Sequence, residues 1–321
     1  MFDKYEDVAE KYDFTLQGTV KGRGALILDT NQGLKALKEY RGSGKHLIWS
    51  QDVLEKIDMD EGLLVDSCIR NKEGEFVSEA KDGSHYIIKN WYESRDCDVK
   101  HYEDIMAGAR ALGKLHNLLE KYAPTETLYV AKELSEDFVS HNREIKKVRK
   151  YLYSKNNRTE FESLATGYCD EYLNEGREAI KWLDKFKASK KMKKGFCHGS
   201  YNFHNIGFYK DVPVIINFEK MNYNYQMVDL YTFLRKIMEK TDWDMNIGHN
   251  IILKYSQERM VSNEDMELLA IMFSYPEKFW KLINGYFNSN KAWISGKKTE
   301  KLVKLVEQNK HRHEFIKSIY S

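Results

Sequence analysis

The chain has little of what usually braces or anchors a protein. It holds three prolines in 321 residues, too few for a proline-rich linker. Its four cysteines, Cys68, Cys97, Cys169 and Cys197, are scattered and form no Cys-x-x-Cys pair. That argues against a structural zinc site and against a secreted disulfide framework. No apolar run approaches the length of a membrane span, so no membrane partner is expected. Residues 1–14 are acidic and amphipathic, without the apolar core of a signal peptide. Net charge is only +2, and such a balance demands neither nucleic acid nor an anionic surface. No Gly-Lys-Ser/Thr phosphate loop is present. These absences leave a globular protein synthesised in the cytoplasm as the expectation.

What is present is ordinary in amount and informative in order. Hydrophobic residues make up 42% and charged residues 31%, as in soluble globular proteins, and the length suffices for two packed lobes. With 13% aromatics and so few prolines, a largely helical protein with aromatic-filled cores is expected. Residues 1–11 read as a short helix, and 15–21, 25–30 and 35–40 as strands, punctuated by Gly22/Gly24 and Asn31-Gln32-Gly33. Residues 46–57 have helical spacing of Leu47, Val53, Leu54 and Ile57. Residues 63–69, 75–78 and 85–89 then complete a mostly antiparallel sheet. After Asn90-Trp91-Tyr92 long helices follow at 102–122, 134–153 and 160–187, with closing helices at 228–239, 247–257, 263–274, 277–288 and 299–320. The lysine cluster Lys187, Lys190, Lys191, Lys193, Lys194 and the basic face at 143–150 read as solvated surfaces.

The chemistry concentrates in one stretch. Phe196-Cys197-His198 ends an apolar strand, Gly199 makes a turn, and Ser200 to Asn205 follow before the next strand, Ile206-Gly207-Phe208-Tyr209. Val214-Ile215-Ile216-Asn217-Phe218-Glu219 comes next. The spacing is that of a phosphotransfer site, whose loop reads His-Gly-Asp-x-x-x-x-Asn and whose metal strand opens with Asp. Here Ser200 stands where a catalytic Asp would orient the attacking hydroxyl, and Asn217 where a metal-binding Asp would stand. Serine is neutral at pH 7 and is no base, and positioned bases contribute roughly 10²–10⁴ in rate. Asn205 can offer an amide oxygen to magnesium, and Glu219, two residues past Asn217 on the same side of a strand, keeps one carboxylate near it. Phosphates would be held by a lysine on the third strand, Lys38, which alternates with Ala36, with Lys35 as a competitor. Its helix partner is Asp52 or Glu55, and periodicity does not choose between them. The turn Lys21-Gly22-Arg23-Gly24 is a plain hairpin rather than a phosphate-covering loop. His198 reads as a loop anchor and His204 as exposed. Asp229 opens a helix, where it caps the N-terminus and braces the loop. Tyr201, Phe203, Tyr223 and Tyr225 are core or pocket lining.

These residues, with Ala111-Leu112-Gly113-Lys114-Leu115-His116, His141-Asn142-Arg143-Glu144 and Asp229-Leu230-Tyr231-Thr232-Phe233-Leu234-Arg235-Lys236, resemble the aminoglycoside phosphotransferase/choline kinase superfamily. Within it, the order and spacing are most similar to the CotS-type family of spore-coat-associated kinase-like proteins. The resemblance spans nearly the whole chain. It implies an α+β, two-lobed protein-kinase-like fold: an N-lobe at 1–90 with a small antiparallel sheet and one helix, and a helical C-lobe at 91–321. It assigns Lys38 to phosphate, Asn90 and Trp91 to the adenine hinge, and Asn205, Asn217 and Glu219 to metal. Ser200 falls at the degraded base position, supported by His198 and Asp229. ATP and magnesium are the implied cofactors, with weak or absent binding expected from the two departures. The implied setting is the spore coat, with coat proteins and a small-molecule ligand as partners. A catalytically impaired coat component is therefore expected, the alternative being an active small-molecule phosphotransferase that uses Asn205 and Glu219 for magnesium.

Overall fold

A computed structural model describes residues 3–22, 24–57, 62–122, 129–190, 194–288 and 296–320. Arg23, Lys191, Lys193 and the first two residues of the expected N-terminal helix lie outside the described residues. The chain divides into two units, one of residues 1–129, 195–229 and 257–259, the other of 130–194, 230–256 and 260–321.

In the first unit, helix α1 (Asp3–Ala9) precedes strands β1 (Leu16–Gly22), β2 (Ala25–Thr30) and β3 (Lys35–Glu39). Helix α2 (Gly44–Ile57) and the short strands β4 (Leu64–Val65) and β5 (Ser78–Glu79) follow, then β6 (His85–Asn90), β7 (Arg95–Asp96) and helix α3 (Tyr102–Lys121). Five strands form an antiparallel sheet in the order β1-β2-β3-β6-β5. Its closed face exists because Leu28, Leu37 and Ile88 point the same way and bury against Val8 and Tyr12 from α1 and the residues after it. The opposite face of β3 and β6 is thereby given over to Ala36, Lys38 and Lys89, since successive strand residues alternate.

One expectation changes here. Residues 63–69 were to join the N-terminal sheet, but only Leu64–Val65 is a strand, and it runs parallel to β10 (Val212–Ile215) in a second sheet. That sheet has the order β4-β10-β9-β7, with β9 at Ile206–Tyr209. The chain beyond β4 still meets β6 over residues 67–69, through a Cys68–Lys89 bridge and the bonds Asn90 N–H to Ser67 O and Ile69 N–H to Ile88 O, each 2.9 Å. The consequence is that Asp66, just past β4, is carried to the end of β10 and lies beside Asn217. A third, two-stranded sheet pairs β8 (Gly195–Cys197) with β11 (Asn222–Asn224).

The second unit is helical, with α4 (Leu134–Ser154) and α5 (Glu160–Ser189) as its longest members. Helix α6 (Met227–Met238) begins in the first unit, and α7 (Met245–Ser256), α8 (Asn263–Ser274), α9 (Glu277–Phe287), α10 (Lys297–Glu307) and α11 (Asn309–Tyr320) complete the chain. Apolar stripes of α4, α5, α9 and α10 meet in a core of Leu152, Phe161, Tyr172, Phe279 and Leu302. A capping box, Thr159 with Glu162, starts α5 by satisfying two otherwise orphaned donors. The single closing helix expected over 299–320 is two helices, broken at Gln308. Of the lysine cluster, Lys187 and Lys194 both pair with Glu133 and Lys190 pairs with Glu264, so those described are ion-paired rather than merely solvated. No helix among the described residues is long and apolar enough to cross a membrane.

Candidate functional site

Strand alternation selects the cleft lysine. Leu37 is committed to the closed face, so Ala36 and Lys38 turn outward and line a cavity of about 510 Å³ with Lys89, Asn90, Trp91 and Asn217. Lys35 instead donates to Asn90 Oδ1 at 2.9 Å. Lys38 Nζ donates to Asn217 Oδ1 at 3.2 Å and stands 3.9 Å from Glu219 Oε1. Neither candidate on α2 is its partner. Asp52 and Glu55 both hold Arg70, at 2.8 and 3.0 Å, and Glu219 takes the place expected for one of them.

Asn90 and Trp91 line the same cavity, but their backbone donors are spent. Asn90 N–H donates to Ser67 O at 2.9 Å and Trp91 N–H to Leu34 O at 3.1 Å. Neither amide is left to donate to a ligand.

The loop after β8 is held from behind by Asp229. Its Oδ2 accepts the His198 backbone N–H at 2.6 Å and sits 3.3 Å from His116 Nε2, while its Oδ1 accepts the Gly199 N–H at 3.0 Å. Asp229 and His116 are both fully buried. Burial pushes the His116 imidazole below its ordinary value, against the pull of Asp229, so the ring is a neutral donor. Gly199 has φ +75°, and a Cβ there would lie 1.9 Å from Lys220 O. Only glycine fits that turn.

His198 is buried, donates from Nε2 to Ile216 O at 3.0 Å and accepts the Ser200 N–H on Nδ1 at 3.1 Å. Burial pushes its pKa down as well. With both nitrogens engaged within the protein it positions the loop. Ser200 uses its carbonyl, which accepts from Asn202 Nδ2 at 2.6 Å and Asn205 Nδ2 at 2.9 Å. Tyr201 is core, its hydroxyl donating to Gly108 O at 2.7 Å, and Phe203 is buried, whereas Tyr223 and Tyr225 are half-buried and none of the four lines the cavity. His204 is exposed and lines it.

The region of Asn217 departs from a strand. β10 ends at Ile215, Asn217 adopts a left-handed conformation (φ 69°, ψ 59°), and Phe218–Lys220 is a 3₁₀ turn. Glu219 therefore reaches the cleft from a turn, and the two-residue strand argument for it fails. Both ends of the Asn217 amide are engaged: Nδ2 donates to Asn205 Oδ1 at 3.0 Å while Oδ1 accepts from Lys38. Its backbone N–H donates to Asp66 Oδ2 at 3.0 Å.

Two members of the site escaped sequence reading. Lys89 Nζ lies 3.1 Å from Asp66 Oδ2 and 3.2 Å from Glu219 Oε1, with Lys89 2% and Asp66 6% exposed. Burial alone would push the ammonium down, but Asp66 and Glu219 hold it above its ordinary value. Glu219 is in turn pulled below the carboxylate range, burial being outweighed by Lys89 and Lys38. The available signal was a charge of each sign closing an apolar run, Leu64-Val65-Asp66 and Ile87-Ile88-Lys89.

This arrangement is built on a backbone shared with solved kinases. The crystal structure of an aminoglycoside phosphotransferase from Alicyclobacillus acidocaldarius superposes at TM-score 0.85 with 15% identity, over 98% of this chain and 94% of that one. The chain has the kinase-like fold. AMP-bound spectinomycin phosphotransferase APH(9)-Ia superposes at 0.60 with 12% identity, over 98% of this chain and 96% of its own. Choline kinase LicA from Streptococcus pneumoniae does so at 0.52 with 12% identity, over 96% and 97%. No protein-family model and no curated protein matches the sequence.

A kinase-like fold of this kind implies magnesium, and the donors can be tested against it. Magnesium requires near-octahedral oxygen ligands at roughly 2.0–2.1 Å and favours carboxylates. Here Asn205 Oδ1 accepts from Asn217, Asn217 Oδ1 accepts from Lys38, and Glu219 and Asp66 share the Lys89 ammonium. Of the other two carboxylate oxygens, Asp66 Oδ1 has no partner but is sealed from solvent, which leaves Glu219 Oε2, on a half-exposed side chain, as the one carboxylate oxygen a cation could reach. Among the described residues no three His, Cys, Asp or Glu side chains are placed to hold a metal. As arranged, the residues do not fit one.

Proposed function

We propose that the protein binds a nucleotide in the cleft under β3 and β6, transfers its phosphate poorly or not at all, and serves as a binding component of the spore coat. The observation that carries the first two parts is the Asn217 amide, bridging Lys38 to Asn205 behind a loop whose base position is Ser200. Phosphoryl transfer needs held phosphates, a placed cation and an oriented acceptor. Lys38 can supply the first, whereas the groups for the other two are replaced by neutral side chains. Support for a nucleotide comes from proteins of the same fold. Spectinomycin phosphotransferase was solved with AMP, and amicoumacin kinase with AMP-PNP and Ca²⁺. The coat assignment rests on the CotS-type sequence resemblance, with coat proteins and a small-molecule ligand as the partners.

Calorimetric titration with ATP tests the cleft. The wild type is expected to bind, and Lys38→Ala to lose about 10- to 100-fold in affinity, the worth of one or more charge-assisted bonds to phosphate. Equal affinities would place the ligand elsewhere. If instead the wild type turns over a small hydroxyl or amine compound and Lys38→Ala does not, the active phosphotransferase reading replaces this one.

A further inference from the structure

The β3–β6 register sets Lys89 opposite Ala36 and Ile87 opposite Lys38, so both lysines share the cleft face. Lys38 is half-exposed to the cavity, but Lys89 is almost wholly buried, and its ammonium is the point on which the two nearest carboxylates converge. Asp66 arrives from the end of β4 and Glu219 from the 3₁₀ turn, two separate parts of the chain. The same Asp66 oxygen also accepts the backbone N–H of Asn217, locking that residue in its left-handed conformation. A divalent ion would have to compete with the ammonium for Asp66 Oδ2 and Glu219 Oε1. Lys89 reaches the cavity wall but is almost wholly buried, and an unpaired buried charge is strongly unfavourable. Exchange is therefore opposed from both sides, by loss of the pair and by stranding of the lysine.

We infer that Lys89 is a built-in cation that takes the place of a divalent metal in this cleft, so that nucleotide phosphates are bound without magnesium. The nucleotide half rests on the function proposed above; the metal half is independent of it.

The test titrates full-length protein with Mn²⁺ alone, followed by electron paramagnetic resonance. The wild type is expected to show only weak surface binding. Lys89→Met, which leaves Asp66 and Glu219 without their shared cation, is expected to gain a site tighter by about tenfold or more. Lys89→Arg, which keeps the charge, is expected to gain none. Wild-type protein that binds Mn²⁺ as tightly as Lys89→Met overturns the inference. Should Lys89→Met fail to fold, the wild type decides alone. Its ATP affinity in EDTA and in excess magnesium is expected to agree within about threefold, and strengthening by magnesium of about tenfold overturns the inference. ATP binding absent under both conditions would contradict the proposed function instead, and the wild-type Mn²⁺ titration would still decide the metal question.

Discussion

The double variant Ser200→Asp/Asn217→Asp is expected to hydrolyse ATP about 10²- to 10⁴-fold faster than the wild type, the usual contribution of a positioned base. Hydrolysis is the appropriate readout because water serves as acceptor whatever the natural one is. The two changes act on different requirements. An Asp at 200 sits on a loop already held by Asp229 and His198, so its carboxylate would arrive in an ordered frame. An Asp at 217 removes the Nδ2 donor from Asn205 Oδ1, freeing that oxygen and adding a negative charge beside Lys38. Each single variant is expected to recover less than the pair, because a base without a placed cation, or the reverse, completes only part of the site. If Lys89 takes the metal's place, adding Lys89→Met to the pair is expected to raise magnesium-dependent turnover further. A double variant no faster than wild type would show that the loss extends beyond these two positions.

The largest effect on stability is expected at Asp229. Its carboxylate satisfies two consecutive backbone donors, at His198 and Gly199, and a buried imidazole at His116. Asp229→Ala strands all three in a site closed to water, where each unsatisfied donor costs about 1–3 kcal/mol. A total loss of roughly 3–9 kcal/mol is expected, a large part of the 5–15 kcal/mol that holds a typical domain folded. Chemical denaturation gives the total, and hydrogen exchange at the His198 and Gly199 amides shows whether the loss is centred there. A loss under about 1 kcal/mol would mean that these donors find other partners and that Asp229 is an ordinary helix cap.

Much of this was legible in the sequence, for identifiable reasons. Strand alternation selects Lys38 once Leu37 is known to be buried, and Ala36-Leu37-Lys38 carries that information locally. The helices follow from apolar spacing, and the loop from the fixed order of His198, Gly199, Ser200 and Asn205. What escaped depends on contacts between distant segments. Asp66 reaches Asn217 because β4 leaves the first sheet to pair with β10, a choice that nothing near residue 64 announces. Lys89 carries a local signal, a charge closing an apolar run, but that signal does not name its role: a lysine in an apolar strand looks like an edge residue until its partners arrive from positions 66 and 219. Glu219 was placed near the site by a strand period that the chain does not follow, since Asn217 turns left-handed and starts a 3₁₀ turn. Asp52 and Glu55 had the right position along the chain for a lysine partner, but Arg70 holds both.

The central claim is that the cleft holds a nucleotide without acting on it, and a single-turnover experiment tests it most directly. Protein in excess over γ-labelled ATP, with magnesium present, is sampled over hours, and bound, free and transferred label are separated. The account predicts label retained as intact, protein-bound ATP throughout, with the bound fraction lost in Lys38→Ala. Label released as phosphate or moved to another molecule within the lifetime of the complex would contradict it and make the protein a working phosphotransferase.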